Sequence, residues 1–546
     1  MNRLLVAALV GIVPLWLHAA EAKACGGFFC SQQPVDQSSE RILFAANPDG
    51  STTMVVQIAY TGGAEDFSWV LPLGTVPAVE SLAVFPQAAL NALDVNTGPT
   101  FKPPTDPDCD LWRYYPPDAA VEGDSDDSDD KDVTVHLEAE VGPYGVAVVE
   151  SRDPAALVTW LRDNAFRVTA PMEPYIKLYT DEGMKFLALK LKPGADVSQI
   201  QPFQLTLPGG TPSVPLRLTA LAAEPEMGIL VFVLGEMRFG PANWPEVAIK
   251  DEDLVWNPWD WGYSNNWQAL VARGVDAAGG QGWVTEFAGS TASYIDLITS
   301  STPGTDEGIA AREALLALMT DRPYLTRLYT RLSAEEMTSD PIFRRVDGGD
   351  VARAHQLPRY VDGKDMCTME EPYGTIVAAS ACDFAACGAG GLCRTVTEGS
   401  TETAGCACVP GATARATVDS FGRAAVSCID ERMSFMNPGD SEVPGQAPLP
   451  DPCLAFDCGT HGRCVPMNMT PTCVCERGHV AVAGLRNGAR TTTCRAPNQA
   501  VPGDFYDKRL PVPVLPGGRI VITPPAPEPE EDEGCAIVVG SKDAGW

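Results

Sequence analysis

The sequence predicts an α+β fold: a large β-rich, mostly antiparallel domain over residues 25–365, followed by two small disulfide-rich modules. Three observations predict it. Short apolar runs with period-2 alternation recur through the first two thirds of the chain, separated by turn residues. The helical stretches among them do not alternate regularly with strands, which argues against a doubly wound parallel sheet. Fourteen of the 17 cysteines lie from Cys367 onward, so the last third follows a different building rule.

In chain order, residues 1–24 read as an export signal. Arg3 supplies the positive start, residues 4–17 an apolar stretch, and Ala22-Lys23-Ala24 a small-x-small cleavage site before Cys25. The apolar stretch is short of a ~20-residue bilayer span and is broken by Pro14. A lipoprotein also begins at cysteine, but its processing site wants a Leu-like residue where Ala22 stands. Residues 41–46, 54–60 and 67–71 then read as strands, divided by Asn47-Pro48-Asp49-Gly50 and Gly62-Gly63. Residues 122–132 form an acidic run that lacks the glycine and glutamate positions of an EF-hand loop and reads as a solvated excursion. Val133, Val135, Leu137, Ala139 and Val141 alternate with polar residues, the mark of a half-buried strand. Residues 145–150, 176–180, 185–191 and 228–234 continue the strand pattern. Helices are expected at 154–166, behind the N-cap Asp153 and with Pro154 in the first turn, and at 265–277 and 306–319.

The cysteines are the strongest signal. Cys382, Cys387, Cys393, Cys406, Cys408 and Cys428 have gaps of 4, 5, 12, 1 and 19 residues, and Cys453, Cys458, Cys464, Cys473, Cys475 and Cys494 have gaps of 4, 5, 8, 1 and 18. Three of five spacings agree, so residues 366–429 and 453–495 are an internal repeat joined by a linker at 430–452. Units of that size need crosslinks to supplement a small core. Disulfides suit an exported chain better than zinc, and the order lacks paired Cys-x2-Cys ligands. Cys25 and Cys30 flank Gly-Gly-Phe-Phe, where the glycines let the chain fold back, so these two are paired. Spacing does not decide between partners for Cys109, Cys367 and Cys535. Residues 496–546 are a Pro/Glu-rich extended tail.

The repeat resembles the EGF-like module. The second unit carries Cys458-Gly-Thr-His-Gly-Arg-Cys464 and Cys473-Val-Cys-Glu-Arg-Gly478, and the first keeps Gly391 and Cys408-Val-Pro-Gly411. The resemblance implies 1–3, 2–4, 5–6 connectivity: Cys382–Cys393, Cys387–Cys406, Cys408–Cys428, Cys453–Cys464, Cys458–Cys473 and Cys475–Cys494. Each such bridge contributes about 3 kcal/mol in the chain-entropy model. Calcium-binding members carry acidic residues before the first cysteine; 378–381 has none and 449–452 only Asp451, so no calcium is expected. The large domain resembles a secreted bacterial, chiefly myxobacterial, family known as domain-of-unknown-function family 2330. The resemblance is carried by Ala24-Cys-Gly-Gly-Phe-Phe-Cys30, Pro34 to Ala45, Ala64 to Pro72, Tyr324 to Thr330 and Met337 to Phe343. It implies export and a shared fold, and brings no activity. Gly534-Cys535 resembles the opening of a myxobacterial sorting tail, through which alone a membrane would be met. The membrane helix and arginine cluster of such a tail do not follow before Trp546, so a shortened tail and a chance Gly-Cys both stand.

Composition narrows function mainly by exclusion. With 71 acidic against 39 basic residues the net charge is −32, and without a local basic patch this disfavours nucleic acid. Of five histidines, His18 falls in the signal and His461 and His479 in the small modules. His136 and His355 remain for the large domain, where a surface or packing role is the plainer one. Metalloprotease, nucleophile-elbow and P-loop motifs do not occur. Glu65 and Asp66 are adjacent on a strand and point to opposite faces, a poor pair for glycoside chemistry. No catalytic residue, cofactor or metal ligand is assigned.

One cluster could carry a ligand. Trp256, Trp259, Trp261, Tyr263 and Trp267 fall within twelve residues among amide and carboxylate neighbours, as in a sugar or peptide platform. The plainer reading is a long loop stapled to the sheet by its own indoles. Asn468-Met469-Thr470 is a formal glycosylation sequon. The expectation is an exported protein, extracellular or on the outer surface or periplasmic, that binds a protein or glycan; the alternative is an exported hydrolase of polysaccharide or peptide with the modules as targeting appendages.

Overall fold

In the computed structural model, the residues described are 37–58, 67–105, 137–164, 166, 168, 172–195, 199–220, 223–256, 265–361, 364–367, 380–388, 390–418, 424–430, 451–454, 456–467, 470–486 and 489–507. The export signal, Cys25, Cys30, Cys109, the acidic run, His136, Trp259, Trp261, Tyr263, Asn468, Cys535 and the tail beyond 507 lie outside them, as does 431–450.

The large domain is built on two sheets. The first has seven strands in the order Val284–Ser290, Tyr324–Leu332, Ala223–Gly235, Gln37–Ala46, Thr52–Ile58, Phe203–Leu207, Ala83–Val84. All neighbours are antiparallel except Gln37–Ala46, which runs parallel to Ala223–Gly235. The second has four antiparallel strands in the order Ser68–Leu73, Lys185–Leu191, Tyr144–Val149, Leu137–Val141.

Strand alternation explains the layering. Ile42 and Phe44 point to one face of the large sheet, and pack with Met54, Ile229, Val231 and Val233 against Trp69, Leu71, Val146, Val148, Leu187 and Leu189 of the small sheet. Leu43 and Ala45 point the other way, under the helices Gln87–Thr97, Ile295–Ser300 and Asp306–Met319. The far face of the small sheet is covered by Pro154–Asp163 and Glu173–Asp181. The result is four layers, helix–sheet–sheet–helix.

Helix caps follow local chemistry. The Asp153 carboxylate accepts from Ala155 N–H, and the Thr305 hydroxyl accepts from Gly308 N–H. Residues 176–180, expected as a strand, belong instead to the helix Glu173–Asp181. Pro174 sits in its first turn, and Tyr175, Ile176, Tyr179 and Thr180 bury one face at helical spacing, which outweighs the brief alternation.

Six disulfides crosslink the C-terminal region: Cys382–Cys393, Cys387–Cys406, Cys408–Cys428, Cys453–Cys464, Cys458–Cys473 and Cys475–Cys494. Cys367 is also disulfide-bonded. Each cystine unit makes two hairpins, and the hairpins are exchanged. The first of the first unit, Gly391–Glu398 with Thr401–Cys408, joins the last of the second, Val480–Arg486 with Ala489–Arg495. The remaining two, Ala412–Val418 with Ala424–Asp430 and Gly462–Met467 with Thr470–Cys475, form another four-stranded sheet. One core serves both units, with Val396, Ala407, Ala414, Val426, Val480 and Ala481 around the cystines. The units are therefore interlocked rather than strung as beads.

Gly405 lies where the exchanged hairpins cross, opposite Val482. A Cβ there would come within 2.6 Å of the Val480 side chain. Gly405→Val is expected to cost about 1–3 kcal/mol through overpacking. Denaturant unfolding would show this as a lowered midpoint at unchanged slope, and an unchanged midpoint would contradict the close approach.

Candidate functional site

The aromatic segment was the site singled out from sequence. Trp256 is fully buried and its indole N–H donates to Pro358 O at 2.9 Å. Trp267 is 5% exposed and its indole N–H donates to Glu286 Oε1 at 2.8 Å. The Asn266 side chain accepts from Val255 N–H, and the Asn265 side chain from Trp267 N–H, closing the ends of the segment. Both indoles thus face the core, where their area and N–H groups are satisfied, and neither offers a ring to a ligand. For Trp256 and Trp267 the platform expectation is replaced by the stapling one; Trp259, Trp261 and Tyr263 lie outside the described residues.

For His355 the expectation from sequence is a surface or packing role. Its strand, Ala354–Gln356, pairs with Thr100–Lys102, and its Nδ1 lies 2.8 Å from Asp251 Oδ1. The ring stacks on Phe101 and lies 4.3 Å from the Trp267 ring. A triad would need a hydroxyl within about 3 Å of the other nitrogen. Among the described residues Nε2 is buried and has no hydrogen-bond partner, so the Asp–His pair has no nucleophile. Beside it, Glu286 accepts from Arg327 Nε at 2.6 Å and Arg327 donates to Asp94 at 2.7 Å, a buried network whose charges are paired.

The chemically unusual site is a group of carboxylates that sequence inspection did not single out. Glu226 lies in Ala223–Gly235 where the register with Gln37–Ala46 shifts, and it holds a left-handed φ of +57°. Among the described non-glycine residues no other has a positive φ, and backbone strain of this kind persists only where the surroundings impose it. Its N–H donates to Ser333 Oγ at 3.1 Å, while neither carboxylate oxygen has a hydrogen-bond partner among the described residues. Glu336 closes a capping box on Ser333, accepting from its N–H at 2.7 Å, and presses against Gly280. Asp276, at the end of the helix Trp267–Ala277, faces Glu336.

Burial and mutual repulsion hold protons on this group. Burial, with Asp276 adding and Arg331 opposing, pushes the Glu226 carboxyl up to about 8. Burial pushes Asp276 up to about 6, with Glu336 opposing and Glu335 adding. Burial, then Asp276, Glu226 and Glu335, holds Glu336 well above the usual carboxylate range. Asp276 and Glu336 share a side-chain hydrogen bond, which requires a proton on one of the two carboxyls, so the group is a proton store more than a set of ion pairs. The store sits at the seam with the cystine region: a Cβ on Gly388 would lie 3.7 Å from Glu226 Oε1, and Arg273 donates to Asp383 O across the same boundary. The Ser333-Ala-Glu-Glu336 capping box was visible in the sequence, but the burial that makes it unusual comes from distant strands.

Fold and site together define a strand-rich α+β domain joined to a disulfide-crosslinked β unit. Residues 19–344 match the family described as "Uncharacterized protein conserved in bacteria (DUF2330)", and the chain belongs to that family. None of the curated proteins and none of the solved structures compared with the chain matches it.

Proposed function

We propose that this chain is an exported interaction protein, acting at the cell surface on a protein or glycan partner, with the family domain as the binding body and two EGF-like units as its crosslinked support. Six disulfides favour an oxidising compartment. Among the described residues no helix is long and apolar enough to cross a membrane.

The observation that carries the binding reading is where exposed apolar side chains gather. Of the seven large apolar side chains exposed among the described residues, four, Val95, Leu297, Ile309 and Leu316 at 75%, 46%, 53% and 37%, lie on the helical layer made by Gln87–Thr97, Ile295–Ser300 and Asp306–Met319, while Val79, Tyr360 and Leu454 lie elsewhere. Ile309 and Leu316 are seven residues apart and share one face of their helix. Exposed apolar side chains gathered on one layer favour a contact surface over a merely solvated one.

The alternative is an exported hydrolase of polysaccharide or peptide, and the observation in its favour is the proton-holding group of Glu226, Asp276 and Glu336. One experiment separates the two. The purified chain is incubated with cell envelopes and with isolated glycans, and both retention and soluble product are measured. Retention without product is expected. The double substitution Ile309→Asp, Leu316→Asp should weaken retention about tenfold, equivalent to about 1.4 kcal/mol. Product released in proportion to protein, and lost in Glu226→Gln, would replace the binding reading with the hydrolase one.

A further inference from the structure

We propose that His461, Glu476 and His479 form a site for one transition-metal ion, with Zn2+ the fitting one. Each residue offers one ligand atom, and these atoms lie within 4.8 Å of one another. Ligands of a tetrahedral Zn2+ with bonds of about 2.0–2.1 Å stand roughly 3.4 Å apart, so closure by at most about 1.4 Å suffices. The side chains of His461 and Glu476 are 47% and 63% exposed and can turn at little cost.

The backbone already fixes the three residues together. Glu476 N–H donates to His461 O at 2.8 Å, and His479 N–H donates to Glu476 O at 2.9 Å. Gly478 makes the turn between them at φ +88°, and its N–H donates to the Tyr506 hydroxyl at 2.7 Å. Cys458–Cys473 and Cys475–Cys494 anchor the two loops that carry the site.

The side chains are arranged for a cation other than a proton. The imidazoles of His461 and His479 stack with centroids 4.0 Å apart and planes 13° from parallel, and His461 Nδ1 lies 2.9 Å from Glu476 Oε2. A plain His461–Glu476 ion pair would explain that contact but leaves His479 without a role; its Nδ1 is buried with no partner among the described residues. Two imidazoles with one carboxylate select a borderline ion and supply three of four tetrahedral ligands. Calcium and magnesium want six or more oxygens, which this set does not supply. The described cysteines nearby are all in disulfides, so thiolates do not compete.

The test uses the full exported chain, stripped with chelator and titrated with Zn2+ by calorimetry in excess Ca2+, which occupies exposed carboxylates. One saturable site is expected, weakened about tenfold or more in each of His461→Asn, His479→Asn and Glu476→Gln. With Cu2+ in place of Zn2+, paramagnetic resonance should report two nitrogen donors in the parent and one in His479→Asn. Disulfide mapping and the near-ultraviolet dichroism of each variant would confirm that the fold is kept. Absence of saturable binding, or binding that survives both histidine substitutions, would overturn the proposal.

Discussion

The folding stability of the chain is expected to fall as pH rises from about 5 to about 9, with the largest part of the fall traced to Glu226, Asp276 and Glu336. All three carboxyls are held above the usual carboxylate range by burial, Asp276 up to about 6 and Glu226 up to about 8. Below about pH 4 the folded and unfolded chains both carry these protons, and the stability they support is complete. Above that, the unfolded chain releases protons that the folded chain keeps. Stability then falls by about 1.4 kcal/mol per pH unit for each excess proton, until pH passes the folded values. A single excess proton held over three units amounts to about 4 kcal/mol, a large share of a domain's stability.

Glu226→Gln keeps the shape and removes the titration. Its urea midpoint should match the parent near pH 5, exceed it near pH 9 and vary less between. The net charge of −32 gives parent and variant nearly the same background trend, so their difference isolates the site. Arg331 opposes the shift and Glu335 adds to the group, so Glu336→Gln should flatten the dependence in the same sense. Midpoints of parent and Glu226→Gln that run parallel at every pH would remove the assignment. Because Gly388 lies against Glu226, amide exchange at 380–388 should quicken with rising pH in the parent beyond its intrinsic dependence.

What could be read from the sequence was local or covalent. Asp306–Met319 carries its own start signal in Thr305, and Lys185–Leu191 is a short apolar run buried on both faces, so both are found where their residues place them. Glu173–Asp181 was misread because Ile176 and Leu178 mimic alternation over too few residues to show the helical period. Gln87–Thr97 was passed over: Ala88, Ala89, Leu90, Ala92 and Leu93 are all buried, and a helix with so broad an apolar face has a weak period. The parallel pairing of Gln37–Ala46 with Ala223–Gly235 spans most of the domain, and nothing local encodes it. The proton-holding group fails to show for the same reason, since Glu226, Asp276 and Glu336 come from three separate elements and are ordinary residues until strands far away bury them. Cysteine spacing did mark the two units. It did not reveal their exchange, because an alternating hairpin looks the same whichever neighbour it pairs with.

That exchange makes loss of one bridge in the second unit visible in the first. Cys458–Cys473 closes a sequence separation of 15 residues, and opening it by Cys458→Ala, Cys473→Ala is expected to cost about 3 kcal/mol. Cys473 is fully buried and stands opposite Ala414 of the first unit, in the contact that joins Ala412–Val418 to Thr470–Cys475. Amide protection should therefore drop together in both strands, and in Thr401–Cys408, whose Cys406 pairs with Ala481 of the other exchanged hairpin. Independent units would confine the loss to residues 453–495, since each would keep its own core and its own three bridges. Protection of 391–418 that stayed at the parent level while 462–495 opened would show the hairpins unexchanged. Joint loss would make the pair a single cooperative unit, in which six bridges and one shared core hold the face that Ala223–Gly235 of the large domain packs against.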